Sequence, residues 1–422
     1  MNMMKFSTYR LGDVAKFING RAYLMPEMQS SGKYRIVRVG NFTGKDEWYY
    51  SDMELDSDKY CETGDLLFKW ACTFGPEIWD GEKAIFHYHI WKIEVDNVHI
   101  TKDYLYYLLK FMTPFWLKAT NGSTMIHITK ETMEDRLIKI PISLETQNSI
   151  VEKLKSIDLK ISNNNAIISE LEAMAKDIYD YWFVQFDFPD ENGKPYKSSG
   201  GKMVWNEELK REIPEGWNVT KIGSVTELSR GISYNSGDIS DNGIPMINLG
   251  SFSPDSIYKP QNIKYYNGRI KDESNLKKHD LLICTTQQTS IDNKTDIIGK
   301  TIMIPDIFTG NVVASMDLVK VSAMQEMIPV IASETKTPWY NKYITGFASG
   351  TSILHLNLSG FMDYKIPLPN NTYLLKKFSD FFYTFEDMKS KSMLENQELT
   401  SLRDFLLPLL MNGQVKVGDT KA

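Results

Sequence analysis

Many features that assign a sequence to a functional class are missing from these 422 residues. The three cysteines, Cys61, Cys72 and Cys284, have neither CxxC nor Cys/His metal spacing, so neither a disulfide framework nor a zinc site is expected. The longest apolar run, FLLPLLM from Phe405, is too short to cross a bilayer, and the opening MNMMKFSTYR has no hydrophobic signal segment. We therefore expect a cytoplasmic protein with reduced thiols and no membrane partner.

The motifs of common catalytic and nucleotide-binding sites are missing too. The sequence contains no GxxxxGK[ST] phosphate loop, no HExxH and no GxSxG, and no GxGxxG stands between a strand and a helix. The sequence thus predicts a non-catalytic protein without a cofactor of its own. His87 and His89 alternate in IFHYHIW and would share one face of a strand. A plain strand surface is the favoured interpretation and a metal pair the alternative, because no third ligand is evident.

The charge balance limits what kind of nucleic-acid contact is possible. A formal net charge of −6 argues against a surface that binds nucleic acid over its whole area, so any DNA contact must be local. One basic stretch stands near the start, where Arg21, Lys33, Arg35 and Arg38 occur with Glu27 as the only acid between them. A solvated strand face is the alternative interpretation of this stretch.

The chain repeats a series of short motifs in the same order, which is the signature of a duplicated structural unit. The matching pairs are RVGNFTG (38–44) with NLGSFSP (248–254), GDLLFKW (64–70) with HDLLICT (279–285), TPFWLK (113–118) with TPWYNK (337–342), GSTMIHI (122–128) with GTSILHL (350–356), and KIPI (139–142) with KIPL (365–368). The offset grows from 211 at Gly12 and Gly223 to 228 at His127 and His355, which indicates insertions in the second copy. We expect both histidines to pack or to hydrogen-bond backbone.

A long segment with the spacing of a coiled coil follows each copy. The first seam is Ile150, Leu154, Ile157, Ile161, Asn164, Ile168, Leu171, Ala175 and Ile178. The second seam is Leu374, Phe378, Phe381, Phe385, Met388, Ser392, Glu395, Leu399, Leu402, Leu406 and Leu409. Two helices of roughly 40 to 50 Å are expected to pair antiparallel within the chain and to hold the repeated units apart. Pairing between copies of the chain is the alternative.

The predicted architecture is α+β, with two pseudo-repeated globular units separated by two long antiparallel coiled-coil helices. A segment rich in Gly, Pro, Ser and charge separates the first helix from the second unit and is interpreted as a connector rather than a core segment. The predicted boundaries are a first unit at 1–142, a first helix at 143–185, a connector at 186–216, a second unit at 217–369, and a second helix with its tail at 370–415.

A polar stretch follows the DLL strand of each copy, FKWACTFGPEIWDGEK in the first and ICTTQQTSIDNKTDIIGK in the second. Gln, Asn, Thr, Lys and Arg are side chains that bind base edges and phosphates. The candidate DNA-binding residues are Arg21, Lys33, Arg35, Arg38, Lys69, Thr73, Arg230, Thr285, Thr286, Gln287, Gln288, Thr289, Asn293 and Lys294. For any one of them, an ordinary polar loop is the alternative.

This arrangement resembles the specificity subunits of type I restriction-modification enzymes. The resemblance covers nearly the whole chain. The copies open with LGDV (11–14) and IGSV (222–225), each ends in the KIP motif before a long helix, and LEAMAKDIYDYWFVQFDFP and EIPEGWNVTKIGSV lie between them. The resemblance makes the two units target-recognition domains, each inserting loops into a major groove.

The resemblance implies a non-enzymatic subunit that recognises a bipartite target in double-stranded DNA, with one unit for each half-site. Two methyltransferase subunits would supply the S-adenosylmethionine site and the catalytic motif, and restriction subunits would complete the complex. Two other functions stay open. A coiled-coil scaffold without a DNA role is opposed by the polar stretches, and a self-sufficient modification enzyme is opposed by the missing motifs.

Overall fold

A computed structural model describes residues 5–43, 47–118, 128–288 and 297–415. His127 and the predicted contacts Thr289, Asn293 and Lys294 lie outside the described residues. The chain divides into two compact units, one formed by Met1–Ile161 with Glu398–Ala422 and the other by Ser162–Gln397. Among the described residues, no helix is both long enough and apolar enough to span a bilayer.

The described part of the first unit contains ten short strands and the helices that cover them. The strands are β1 (Phe6–Arg10), β2 (Ala15–Asn19), β3 (Tyr34–Val37), β4 (Tyr49–Ser51), β5 (Tyr60–Cys61), β6 (Leu66–Lys69), β7 (Gly75–Ile78), β8 (Ala84–Phe86), β9 (Ile90–Val95) and β10 (Leu137–Pro141). The helices are α1 (Leu11–Val14), α2 (Lys102–Lys118), α3 (Lys130–Glu134) and α4 (Leu144–Tyr179), of which α4 continues into the second unit.

The second unit repeats this plan with added elements. Its strands are β11 (Met203–Asn206), β12 (Arg211–Pro214), β13 (Trp217–Lys221), β14 (Glu227–Arg230), β15 (Ile239–Ser240), β16 (Ile244–Ile247), β17 (Lys264–Tyr266), β18 (Leu281–Cys284), β19 (Thr286–Gln288), β20 (Thr301–Met303), β21 (Val313–Ala314), β22 (Leu318–Ser322), β23 (Ala348–Ser349), β24 (Ile353–Leu356) and β25 (Lys365–Pro369). The helices are α5 (Ile328–Glu334), α6 (Pro338–Ile344), α7 (Leu358–Asp363) and α8 (Thr372–Met411), of which α8 continues into the first unit.

The duplication that the sequence predicts is confirmed strand by strand. The main sheet has the order β2-β9-β6-β7 in the first unit and β14-β22-β18-β20 in the second. Even the register agrees, since Leu66 faces Ile93 and Leu281 faces Val321. A second small sheet in each unit contains an equivalent parallel pair, β3 with β8 and β16 with β21. The fold is α+β, as the hydrophobic patterns indicate.

Each unit is closed by pairing the strand just before its LGDV or IGSV motif with the strand that precedes its long helix. β1 pairs antiparallel with β10, so that Phe6 faces Pro141, and β13 pairs antiparallel with β25, so that Trp217 faces Pro369. The KIPI and KIPL motifs therefore form the closing strands. Gly12 and Gly223 lie beside these strands in equivalent places, where an added Cβ would come within 2.9 Å of Glu134 and within 2.8 Å of Met362, respectively.

The two long helices run antiparallel within each unit. In the first unit, Arg403 Nη1 of α8 lies 3.1 Å from Asp158 Oδ1 of α4. In the second unit, Asn164 Nδ2 donates to Glu395 Oε2 at 2.8 Å and to Asn396 Oδ1 at 3.0 Å. Asn164 is buried on the predicted seam, where a polar side chain of this kind selects one alignment of two helices.

The predicted seam of α4 agrees with the burial along this helix. Ile150, Leu154, Ile157, Leu171 and Ala175 are buried, and Ile161, Ile168 and Ile178 are half-buried.

The predicted seam of α8 is wrong by one residue over most of its length. Leu374 and Phe378 are buried, but Phe381, Met388 and Leu402 are 43%, 49% and 45% exposed. Phe385, Ser392, Glu395, Leu399, Leu406 and Leu409 are only partly buried. The buried line passes through Phe382, Glu386, Lys389, Met393, Leu407 and Leu410 instead.

The register of α8 is set by charge as well as by apolar packing. Lys389 Nζ lies 2.6 Å from Glu386 Oε1 and contacts Glu172 of α4, whose other oxygen lies 2.8 Å from Lys336 Nζ. Burial raises the pKa of Glu172, but Lys336 and Lys389 outweigh burial and lower this pKa to about 2. Removing one partner would leave an unpaired buried charge, which costs several kcal/mol.

The predicted connector is partly a core segment. β11 and β12 form a hairpin in which Met203 faces Pro214, and Phe186 and Ile213 are buried in the main core of the second unit. Composition failed here because a few apolar residues between Gly, Pro and charged residues were sufficient to anchor the segment.

Substitutions at two neighbouring residues of α8 test which of the two lines of residues faces α4. Lys389→Ala should lower the free energy of unfolding by about 3 to 5 kcal/mol, since it leaves Glu172 and Glu386 buried with one fewer cation. Met388→Ala, at an exposed position, should change it by less than about 0.5 kcal/mol. Urea denaturation of both variants measures the difference. If Met388→Ala lowered the free energy of unfolding more than Lys389→Ala, the predicted seam through Met388 would be supported and the observed one through Lys389 rejected.

Candidate nucleic-acid interface

The predicted basic stretch of the first unit is largely paired with carboxylates. Arg21 Nη2 lies 2.7 Å from Glu27 Oε1, Lys33 contacts Glu54, and Arg38 Nη2 lies 3.2 Å from Glu47 Oε2. Glu47 and Glu54 lie outside residues 21–38, so the composition of that stretch did not show that these carboxylates would neutralise it. An excess of positive charge therefore does not mark this face.

Arg35 and Arg38 lie over aromatic rings on the same small sheet. The Arg35 guanidinium is 5.3 Å from the centre of the Trp48 ring, and that of Arg38 is 4.1 Å from the centre of the Tyr49 ring. Arg35 is exposed. A guanidinium held over a ring loses less side-chain freedom when it binds a phosphate or a guanine edge.

Beside Arg21 and Arg38, the structure places an aromatic cluster that sequence reasoning missed as a site. The IFHYHIW segment is not one strand, because β8 ends at Phe86, β9 begins at Ile90, and residues 87–89 form the turn between them. The predicted strand surface is therefore wrong at this point. The ring centres of His87 and His89 are 4.8 Å apart, and that of Trp70 lies 5.2 Å from His89 and 6.1 Å from Tyr88.

Burial favours the neutral form of the two imidazoles in this cluster. Burial lowers the pKa of His87, His89 and Arg38 lower it further, and it falls to about 4. Burial also lowers the pKa of His89. A neutral imidazole has one donor and one acceptor nitrogen and can bind base edges in either sense. No group of three potential metal ligands exists within the described part of the chain, so the alternative of a histidine metal pair gains no third ligand there.

Lys69 and Thr73, predicted to contact DNA beside this cluster, have different environments. Lys69 is buried, and its Nζ lies 2.6 Å from Glu77 Oε1. Thr73 is exposed on the segment between β6 and β7. Lys69 therefore supports the sheet from inside, and of these two only Thr73 has a side chain open to a ligand.

In the second unit, two predicted contacts support the backbone instead of pointing outward. Thr285 is buried and its Oγ1 donates to Asp317 O at 2.8 Å. Gln287 is buried, and its Oε1 accepts from Ile297 N at 2.6 Å and from Ile298 N at 2.9 Å. A side chain bonded in this way cannot reach a base without breaking those bonds, so we assign Thr285 and Gln287 a positioning role.

The remaining predicted residues of this unit are accessible. Gln288 and Arg230 are exposed, and Thr286 is partly buried on β19, where it faces His355 of β24. The side chain of His355 is exposed, so the predicted packing role for it is wrong. In the second unit the GTSILHL motif contains β24, which pairs with β19 and has Leu356 as its buried residue.

Comparison with known proteins gives concordant results. Residues 3–173 match the family model of the type I restriction modification DNA specificity domain. The chain is 22% identical over 419 residues to the MjaVIII type I restriction enzyme specificity subunit of Methanocaldococcus jannaschii, over 97% of this chain and 92% of that protein. The MjaIX specificity subunit of the same organism is 24% identical over 341 residues, 75% of this chain and 70% of that protein.

A solved structure shares the fold. The crystal structure of the S subunit of a type I restriction-modification system from M. genitalium superposes with a TM-score of 0.58 at 15% identity, over 97% of both chains.

The positioning role of Gln287 can be separated from DNA contact by comparing it with its neighbour. Gln287→Leu should destabilise the protein by about 1 to 3 kcal/mol, because the amides of Ile297 and Ile298 lose a buried acceptor. Gln288→Leu, at an exposed position, should change stability by less than about 0.5 kcal/mol. Urea denaturation and hydrogen exchange at the two amides are the measurements. Equal stability and exchange in the two variants would show that Gln287 has no positioning role.

Proposed function

We propose that this chain is a type I restriction-modification specificity subunit that recognises a bipartite DNA target, with each repeated unit reading one half-site. The match of residues 3–173 to the DNA specificity domain and the similarity to the MjaVIII specificity subunit over 97% of this chain support the proposal. The observation that carries the proposal is the duplication itself. The two units share sheet order and strand register but present different exposed side chains. Two units with the same fold and different exposed side chains are expected to bind two half-sites of different sequence.

In this proposal the chain selects the DNA sequence and other subunits do the chemistry. The sequence contains no GxxxxGK[ST] phosphate loop, no HExxH zinc-protease motif and no GxSxG nucleophile motif. Two methyltransferase subunits would bind S-adenosylmethionine and transfer the methyl group, and restriction subunits would cleave unmodified DNA. The net charge of −6 is consistent with a division of the phosphate contacts among several subunits.

The exposed apolar lines of the two long helices support binding to those partners. Phe381, Met388 and Leu402 of α8 are exposed at multiples of seven residues. Leu159, Ile167 and Met174 of α4 are 55%, 44% and 47% exposed at steps of eight and seven. Apolar residues at heptad spacing form the seam that a further helix would pack against. We propose that helices of the methyltransferase subunits cover these outer lines, so that the chain is also their scaffold.

The test is co-expression with the methyltransferase subunits of its own restriction-modification system, followed by sequencing of methylated bases. We expect a bipartite methylated motif when all subunits are present and no methyl transfer by the chain alone. The double variant Met388→Glu and Leu402→Glu should lose co-purification with the methyltransferase and lose methylation, because it places charge in the outer line.

A matched control is Lys391→Glu, which changes an exposed charge on the same helix and should keep both properties. Methyl transfer by the isolated chain, or a methylated motif without two separated parts, would reject the proposed function. Normal assembly of the double variant would reject the scaffold role only.

A further inference from the structure

The turn between β8 and β9, residues 87–89, is held by backbone hydrogen bonds from three separate parts of the first unit. We name it the first turn. The bonds are His87 N to Val37 O (2.9 Å), Arg21 N to Phe86 O (3.1 Å), Gly20 N to Ile90 O (3.2 Å), Ile90 N to His87 O (3.0 Å) and Trp70 N to His89 O (3.1 Å). Backbone bonds of this kind fix the path of the turn whatever its side chains are.

The turn between β21 and β22, residues 315–317, has an equivalent set of bonds in the second unit. We name it the second turn. Its bonds are Ser315 N to Ile247 O (2.8 Å), Ile232 N to Ala314 O (2.8 Å), Gly231 N to Leu318 O (3.0 Å), Leu318 N to Ser315 O (3.0 Å) and Thr285 N to Asp317 O (2.9 Å). Each bond has its counterpart in the first turn, so His87, Tyr88 and His89 correspond to Ser315, Met316 and Asp317.

A glycine packs directly against each turn. A Cβ added to Gly20 would lie 2.4 Å from the carbonyl oxygens of Phe86 and His87, and one added to Gly231 would lie 2.2 Å from Ser315 O. No side chain fits at such a distance, so both glycines are required for the close approach. The turn and the segment beneath it therefore form a tightly packed backbone in both units.

The side chains on this shared backbone differ completely between the two units. Tyr88 is 39% exposed and Met316 is 47% exposed, and the residues that follow them, His89 and Asp317, are both partly buried. The first turn presents two neutral imidazoles and a phenol, and the second presents a thioether and a carboxylate. The residues flanking each turn stay apolar and buried, Phe86 and Ile90 in one and Ala314 and Leu318 in the other.

We infer that the first and second turns are equivalent base-reading elements, whose side chains help to choose the bases that each unit accepts. The inference rests on the proposed reading of one half-site by each unit. Each turn joins a strand of the small sheet to a strand of the main sheet in its unit and exposes one side chain, Tyr88 or Met316. A side chain exposed in this way can contact base edges in the major groove. A carboxylate such as Asp317 accepts a hydrogen bond from the amino group of cytosine, whereas a neutral imidazole both donates and accepts. Different chemistry on one backbone would give different half-sites without a change of fold.

The residues that hydrogen-bond to the two turns, Trp70 and Thr285, also differ between the units. Trp70 Nε1 donates to Tyr88 O at 2.8 Å, and Thr285, its counterpart, donates from Oγ1 to Asp317 O at 2.8 Å. Trp70 also stacks at 5.7 Å on Trp91, which fixes the aromatic surface beside the first turn. Arg21 and Arg38 lie next to this turn, and each is paired with a carboxylate, that of Glu27 and that of Glu47, respectively.

The test uses the full chain assembled with its methyltransferase subunits and sequences the methylated motif. The double variant Tyr88→Ala and His89→Ala should reduce discrimination at one or two base pairs of one half-site by about 5-fold to 150-fold, the effect of losing one base contact. Met316→Ala with Asp317→Ala should do the same in the other half-site. Phe115→Ala and Met324→Ala, at positions 57% and 60% exposed outside the turns, should change neither.

A second measurement does not depend on how the variants fold. A benzophenone amino acid placed at position 88 should crosslink to one half-site, and one at position 316 to the other, with little crosslinking from position 115. Unchanged discrimination in folded turn variants, or crosslinks no stronger than those from position 115, would overturn the inference while the wild-type complex still methylates its bipartite motif. Absence of any methylated motif from the wild-type complex would instead reject the proposed function.

Discussion

The pairing of the strand before each LGDV or IGSV motif with the strand before each long helix is the constraint on which the rest of the structure depends. It joins residues more than a hundred positions apart, such as Phe6 and Pro141, just before the chain enters a long helix. In the first unit, Gln147 completes this closure, since its buried Nε2 donates to His99 O at 2.7 Å and to Pro141 O at 2.9 Å. The start of α4 is thereby fixed to the end of β10 and to the segment that follows β9. In the second unit, β25 ends at Pro369 and α8 begins at Thr372, so the same closure precedes the helix.

The two units share one backbone path but differ in the side chains of their turns, so one fold can present two different binding surfaces. The glycines beneath the turns and the buried strands keep the path of the chain constant, because changes there would cost packing and backbone hydrogen bonds. Exposed turn residues carry no such cost, so they can vary. The fold thus separates the residues that determine stability from those that we propose determine sequence preference.

The sequence predicted those parts of the fold that local patterns specify. The DLL strands and the two long helices follow from periodicity and from the order of the repeated motifs. The inner face of α8 could not be predicted, because two adjacent lines of residues both have heptad spacing. The more apolar line, through Phe381 and Met388, faces outward, and the inner line uses Lys389 with Glu172, a partner more than two hundred residues away.

The candidate site was predictable only in part for a similar reason. IFHYHIW alternates like a strand, and nothing local shows that Arg21 and Trp70 will hold residues 87–89 as a turn. Gln287 has the chemistry of a base reader, and only its burial and its bonds to Ile297 and Ile298 show that it is occupied. The polar character of a residue makes it a candidate for DNA contact, but hydrogen bonds within the folded protein determine whether its side chain is available to bind DNA.

The central claim is that each closed unit reads one half-site independently of the other. The most direct measurement is to exchange residues 6–141, the segment between the paired ends of β1 and β10, for the aligned segment of a related specificity subunit with a different target. Methylated bases are then sequenced in the assembled complex. We expect one half-site to change to the donor's sequence and the other to stay as it was. A folded and assembled chimera in which both half-sites change, or neither does, would contradict the claim.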